Sequence, residues 1–476
     1  MTDPGPIETA LLIFLVIMIF NLIIFVHELG HFWAAKWRGL KIDRFQIWFG
    51  KPIWSKNING VQYGLGWIPA GGFVALPQMA PMEAIEGDNR ENEEPLPPIS
   101  PLDKIIVAFA GPLFSFLLAL AAAVILTVIG KPMDTVPTRT IGWVQDGSPA
   151  KKAGLQRGDE VLAVNDEPVE MWSGPLDSVF MHIVTSRGDK IRFKIDRPGV
   201  GEMEIVSEFE IPETKWWQRK KTRQVGITPM SGPVEVGPLS ADNAPAKLAG
   251  LKTGDRVLAF NDTEIVDTDQ AYEFLKANGD KPVTITVKRD GGEKKIEITP
   301  VQPESPKFDP PRYMIGASFT SEGEFRREWV HPGPFEQVVD TLRQMWITLR
   351  SVSSPDSSIG IQHLSGPVGI GKIQFYSLLM DYPLHRILGF MVLINVNLAL
   401  LNLLPFPVLD GGHITIATME AIARRPVNVR FLEVLQLGFV FLLFSIMIYV
   451  TSKDVVDDFG MGGAPKRAPI VFPAPE

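Results

Sequence analysis

The chain of 476 residues has no cysteine, only seven histidines, and fewer basic than acidic residues, 46 against 54. Without cysteine no disulfide can staple the fold, and a bound transition metal must be held by nitrogen or oxygen donors. A formal net charge of −8 argues against nucleic acid as a partner, because phosphate binding rests on clustered Lys and Arg. Charged residues are also modest at 21%, against 45% apolar residues, a balance between a soluble and a wholly embedded chain. Uneven placement explains the balance: the apolar residues gather in a few long runs. The length exceeds one ordinary domain and allows several.

The first run sets the question. Between Thr9 and Val26 the only polar residue is Asn21, and about 18–20 apolar positions suffice to cross a bilayer. The run is too long for a signal peptide, lacks a basic start and is expected to be retained. On its tail stand His27, Glu28, Leu29, Gly30 and His31, the pattern H-E-x-x-H. Residues four apart share a helix face, so His27 and His31 can offer two imidazoles to one metal ion. Glu28 is placed to move a proton rather than to bind the metal. Ionisable groups inside a span are costly and usually functional, which favours metal binding over polar residues reaching for the headgroups.

Basic residues follow at Lys36, Arg38, Lys41, Arg44, Lys51 and Lys56, so the loop after this first segment (1–44) reads as cytoplasmic and the N-terminus as outside. Residues 45–80 alternate in a strand-like way, with Phe45, Ile47 and Phe49, then Val61, Tyr63, Leu65 and Trp67, punctuated by Asn59-Gly60 and Gly71-Gly72. A small membrane-associated β-hairpin sheet is expected there. Residues 81–101 are acidic and Pro-rich and read as a disordered linker. A second span covers 102–131; its Gly111-Pro112 suits packing against the first helix or a kink, and packing is favoured.

From 134 to 320 there is no span, but there is a repeat. Ser148-Pro149-Ala150, Ala153-Gly154-Leu155 and Gly158-Asp159 recur as Ala244-Pro245-Ala246, Ala249-Gly250-Leu251 and Gly254-Asp255, each followed by a strand-like stretch ending in Asn165 or Asn261. This is a tandem duplication over 134–231 and 232–320. The pattern resembles PDZ domains, all-β-rich modules that hold peptides along an exposed strand. That resemblance implies Gly226, Ile227, Ile315 and Gly316 as peptide-binding positions; shielding of a site is the other role open to the modules.

Residues 334–383 carry an amphipathic stretch with apolar side chains at 338, 339, 342, 345, 346, 349 and 352, suited to a membrane surface or another helix. A third span covers 384–411 and a fourth 430–451, joined by a loop with Arg424, Arg425 and Arg430; the tail 452–476 reads as flexible and outside. A catalytic zinc needs a third protein ligand. Asp410 is the best candidate, because it stands about as many residues into its span as the histidines do into theirs, and a buried aspartate is otherwise expensive. The competing reading is a carboxylate capping a turn before Gly411.

The H-E-x-x-H of the first span, the stretch from Asn402 through Pro405 to Leu409-Asp410-Gly411, four spans and the paired modules together resemble the site-2 protease family. The resemblance implies a four-helix transmembrane zinc-protease core and cleavage of transmembrane segments in single-span proteins of a bacterial inner membrane, such as anti-sigma factors already cut outside. His27, His31 and Asp410 match the family's zinc ligands and Glu28 its acid/base. Asn397 and Asn402 match residues that hold substrate backbone, and Tyr63 through Gly71, Gly72, Phe73 and Val74 match the hairpin that pairs with it. Ser115 departs from the pattern, where the family often has Asn. The partners implied are membrane lipids and transmembrane proteins. A membrane-anchored PDZ scaffold or chaperone without proteolysis is the alternative, and a metal transporter or sensor using the same ligands is a third.

Overall fold

The computed structural model describes residues 4–79, 99–305, 307–308, 311–321, 326–425, 427–457 and 470–473. Most of the linker expected over 81–101 lies outside these residues. The chain divides into two compact units. The first comprises Met1–Pro132, Trp329–Ile347 and Leu364–Asp454, and the second Met133–Glu328, Thr348–His363 and Val455–Glu476.

In the first unit, Pro6 at the first turn opens helix α1 (Pro6–Arg38), and Gly39 in the left-handed region (φ 74°) closes it by returning its N–H to Ala35 and Lys36. Helix α2 (Pro101–Ile129) starts on a Ser100 cap and keeps Pro112 inside it. Helices α1 and α2 cross at glycine: a Cβ on Gly30 would lie 2.4 Å from the Ala110 carbonyl oxygen. The Gly-Pro pair of α2 therefore serves close packing, as its small side chains predict. The third apolar run is not one span over 384–411. Helix α3 (Pro383–Asn402) ends at Asn402, residues 403–409 are not helical, and Asp410 begins helix α4 (Asp410–Ala423). Pro405 and Pro407, which lack a donor N–H, account for the break. Helix α5 (Val429–Asp457) follows. Among the described residues four helices, α1, α2, α3 and α5, are long and apolar enough to cross a membrane.

Strands β1 (Arg44–Ile58) and β2 (Val61–Ala75) turn at Asn59-Gly60, both with positive φ, the signature of a tight hairpin. Each strand doubles back, so residue 47 pairs with both Gly72 and Leu65, and Tyr63 with both Phe45 and Lys56. The sheet order is thus 71–75, 44–49, 61–66, 52–58, and the 71–75 stretch is an edge. Phe45, Phe32, Val107, Ala110 and Leu40 bury a common core between sheet, α1 and α2. Asn21, the lone polar residue of the first run, accepts a hydrogen bond from Trp48 Nε1 at 2.5 Å and pins the sheet to α1. The amphipathic stretch forms a helix over Pro334–Ser353; its Gln337 Nε2 donates to the Ala123 carbonyl of α2 at 3.1 Å.

The second unit holds two β-rich modules, each with its own core, around Phe193 in one and Phe260 in the other. The repeated Gly-Asp pair builds the same lock twice. Arg197 Nε bonds Asp159 at 2.7 Å and its Nη2 reaches the Gly154 carbonyl at 2.8 Å. In the second copy Arg289 does the same to Asp255 at 2.6 Å and to the Gly250 carbonyl at 2.8 Å. The second module's main sheet runs in the order 292–298, 283–289, 256–260, 234–239, 317–321.

Candidate metal centre

His27 and His31 project from one face of α1, as their spacing requires, and Asp410 enters from the first turn of α4. The two Nε2 atoms are 3.2 Å apart. His27 Nε2 lies 3.3 Å from Asp410 Oδ2 and His31 Nε2 lies 3.4 Å from Asp410 Oδ1. Among the described residues this is the one group of three His or acidic residues that could hold a metal ion.

The second nitrogen of each ring is occupied, which sets how the first is presented. His31 Nδ1 donates to the Val107 carbonyl at 2.8 Å, so its Nε2 carries the lone pair into the site. His27 Nδ1 lies 3.0 Å from Ser115 Oγ. Such partners fix tautomer and ring orientation in metal sites. Gly111 supplies the space: a Cβ there would lie 2.2 Å from His31 Nε2 and 2.9 Å from His27 Nε2. Asp410 is brought inward by Gly411 and Gly412, whose added Cβ atoms would collide with the carbonyl oxygens of Leu403 and Phe406 at 2.2 Å and 2.1 Å.

The residues fit zinc. Tetrahedral bonds of roughly 2.0–2.1 Å put ligand atoms about 3.3–3.4 Å apart; the two Nε2 atoms are 3.2 Å apart, and each lies 3.3 or 3.4 Å from one of the two Asp410 carboxylate oxygens. Asp410 Oδ2 is buried without a hydrogen-bond partner, an expensive state for a carboxylate oxygen that a cation relieves.

Glu28 faces the sheet edge. A Cβ on Gly72 would stand 3.6 Å from Glu28 Cγ, and the Val74 backbone is near enough to act on the Glu28 carboxyl. Gly71 takes φ 73° and has no room for a side chain, because a Cβ would meet the Phe49 ring at 1.9 Å. Phe73 stacks on Phe49 with centroids 6.4 Å apart. Tyr63 is different from the expectation. It sits in an inner strand and packs on Phe32 and Phe45, with centroids at 6.0 and 6.2 Å, because the doubled hairpin encloses 61–66 between two neighbours.

Asn402, at the end of α3, has Nδ2 3.4 Å from His27 Nε2. Asn397 is five residues earlier, about 140° round the helix, and its Oδ1 is buried without a partner. The four module positions sit at equivalent turns. Gly226 and Gly316 have φ 81° and 75°, and the carbonyls of Gly226 and Gly316 accept from Gln145 and Ser240 at 2.9 Å each. Ile227 pairs with Val144, and Ile315 is buried in the second core. Ile315 is thus a core residue rather than an exposed contact.

Sequence reasoning did not find Ser115, Gly111 or Val107 beside the imidazoles. The Gly-Pro pair and the Ser/Asn departure were the only signals at that end of α2.

A membrane-spanning helix carrying two imidazoles, a carboxylate delivered by a glycine turn and an adjacent glutamate define an integral-membrane zinc metalloprotease. A family model described as peptidase family M50 matches residues 14–446. The chain belongs to that family, the site-2 protease family. It is similar to the regulator of sigma E protease of Haemophilus influenzae, 29% identical over 447 residues, covering 90% of this chain and 95% of the relative. Protease RseP of Yersinia pestis is 28% identical over 436 residues, covering 87% and 91%. A candidate zinc metalloprotease of Pasteurella multocida is 29% identical over 438 residues, again covering 87% and 91%.

Proposed function

We propose that this protein cleaves transmembrane segments of single-span membrane proteins within the bilayer, with His27, His31 and Asp410 as zinc ligands and Glu28 as acid/base. The observation that carries the reading is the pair of imidazole Nε2 atoms 3.2 Å apart, each within 3.4 Å of a carboxylate oxygen of Asp410, beside Glu28. A zinc ion held there supplies Lewis acidity to a water and to the scissile carbonyl. Glu28 accepts a proton from the attacking water as the new C–O bond forms, then delivers it to the amine nitrogen as the C–N bond breaks. A helical substrate hides its carbonyls in its own hydrogen bonds, so it must unwind first. The 71–75 edge, with Gly72, Phe73 and Val74, offers replacement backbone partners to the extended chain. Asn402 and Asn397 add side-chain amides for the same purpose.

The positive-inside distribution supports N- and C-termini and residues 134–320 on the outside of a bacterial inner membrane. The repeated motif and lock support PDZ domains that admit substrates whose bulky external part has been removed, anti-sigma factors among them; the names of the relatives support this substrate class.

The test compares purified wild type with Glu28→Gln and Asp410→Asn for zinc content and for cleavage of a reporter transmembrane segment. Glu28→Gln should keep zinc and lose cleavage; Asp410→Asn should lose both. Cleavage by Glu28→Gln, or full zinc retention by Asp410→Asn, would refute the assignment. Deleting 134–320 should abolish the preference for pre-trimmed substrates.

A further inference from the structure

The segment Ile470–Pro473 is not loose. Val471 forms an antiparallel bridge to Ser305, donating to its carbonyl at 2.9 Å while its own carbonyl accepts from Glu304 N–H at 2.8 Å. The next residue, Phe472, is 2% exposed. Its carbonyl accepts from Asn243 Nδ2 at 2.7 Å, and its ring edge reaches 2.9 Å from where a Cβ on Gly316 would lie, beside Ala244 and Ser240. Backbone pairing, one side-chain hydrogen bond to the peptide backbone and one aromatic anchor in a pocket together are the ingredients of peptide recognition.

The first module is an internal control. Where the second has Asn243-Ala244, the first has Gly147-Ser148. Gly147 has no side-chain amide to offer a peptide carbonyl. Ser148 Oγ accepts the Lys151 N–H at 3.2 Å and caps the short helix that follows, whereas Ala244 makes no such cap. The atoms nearest Gly226 belong to Ser148 and Gln145, while those nearest Gly316 include the Phe472 ring. The second module thus gives up a helix cap at the position that borders the ring, and gains a peptide-binding amide next to it. The usual strand edge is not used: Phe319 N–H on strand 317–321 donates to Tyr272 Oη at 3.0 Å.

We propose that the face of the second module formed by Glu304-Ser305, Asn243-Ala244 and Gly316 is a binding site for an extended peptide with an aromatic anchor, and that the chain's own Ile470–Pro473 is its resident ligand. An external peptide of the same pattern competes with it. The inference is independent of the protease reading, and its test needs no cleavage.

The test uses the full chain in detergent micelles and a fluorescein-labelled peptide with the sequence of residues 466–476, read by anisotropy. A tethered ligand competes at an effective concentration in the millimolar range. Full-length Phe472→Ala should therefore bind the peptide at least about tenfold more tightly than wild type. Adding Asn243→Ala should remove most of that gain, and a peptide with Ala for Phe should not bind. Hydrogen exchange gives a second reading: Phe472→Ala should raise exchange at the amides of Glu304 and Val471 while leaving 283–298 protected. Equal peptide affinity for wild type and Phe472→Ala, equal binding of the Ala peptide, or unchanged exchange at the Glu304 and Val471 amides would each overturn the proposal.

Discussion

Ser115 Oγ lies 3.0 Å from His27 Nδ1, so a hydroxyl from the second long helix steers an imidazole of the first. The contact is fully buried, and its loss leaves a ring nitrogen without a partner. Ser115→Ala should weaken zinc binding by roughly 10–100-fold, the usual range for groups that orient metal ligands. Competition with a chelator measures it, and unchanged retention would show the hydroxyl to be a packing residue only.

Gly111→Ala should be more damaging. The added methyl, fixed to the backbone, falls 2.2 Å from His31 Nε2 and 2.9 Å from His27 Nε2, so the imidazoles must turn away from the site to clear it. We expect zinc content well below one per chain with the helical circular dichroism retained. Stoichiometric zinc in that variant would contradict the geometry.

The Val74 backbone contact with Glu28 separates positioning from metal binding. Val74→Pro deletes the amide N–H, and the turnover number should fall about 10-fold or more, a loss of the order of one charged hydrogen bond. Zinc content should not change. Val74→Ala keeps the N–H and should stay near wild type; equal losses in both variants would point to packing instead.

The second module carries a pH dependence whose sign is fixed by its lock. Burial pushes the Asp255 carboxyl up, but Arg289 and the Lys252 N–H outweigh it and hold the group below its ordinary 3.8. A carboxyl depressed in the folded state stabilises fully above its unfolded value and loses that contribution as pH falls through the folded one. Destabilisation from this group is therefore expected only below about pH 4. Asp255→Asn leaves Arg289 without its counter-charge and should cost about 3–5 kcal/mol at neutral pH. Pulse proteolysis of the intact protein between pH 3 and pH 7 reads both effects.

The metal site was legible where local geometry dictates it. Spacing of four fixes both imidazoles on one face; the stop of the third helix at Asn402 was read through, although Pro405 and Pro407 lie just beyond it. The seam between the first two helices was not legible, because which face of an apolar helix meets another depends on rotation that composition does not encode. Ser115 read only as a departure from the family's usual Asn for that reason. Tyr63 was misplaced because a strand that bends back on itself pairs on both sides, which alternation alone does not reveal. Phe472 looked like part of a loose tail, since its partners Asn243 and Gly316 stand more than 150 residues earlier.

The glycine contacts at Gly30 and Gly111 carry a mechanical consequence. With backbone against backbone on one side and imidazoles against a bare Cα on the other, helices α1 and α2 cannot slide or swivel without driving the donor atoms apart. On the proposed reading they act as a wall, and a substrate would reach Glu28 from the flank bounded by the sheet edge and the end of α3. Because the chain has no cysteine of its own, engineered thiol staples report this directly. A staple across the wall should leave turnover intact, and one that ties the edge strand to the end of α3 should abolish it.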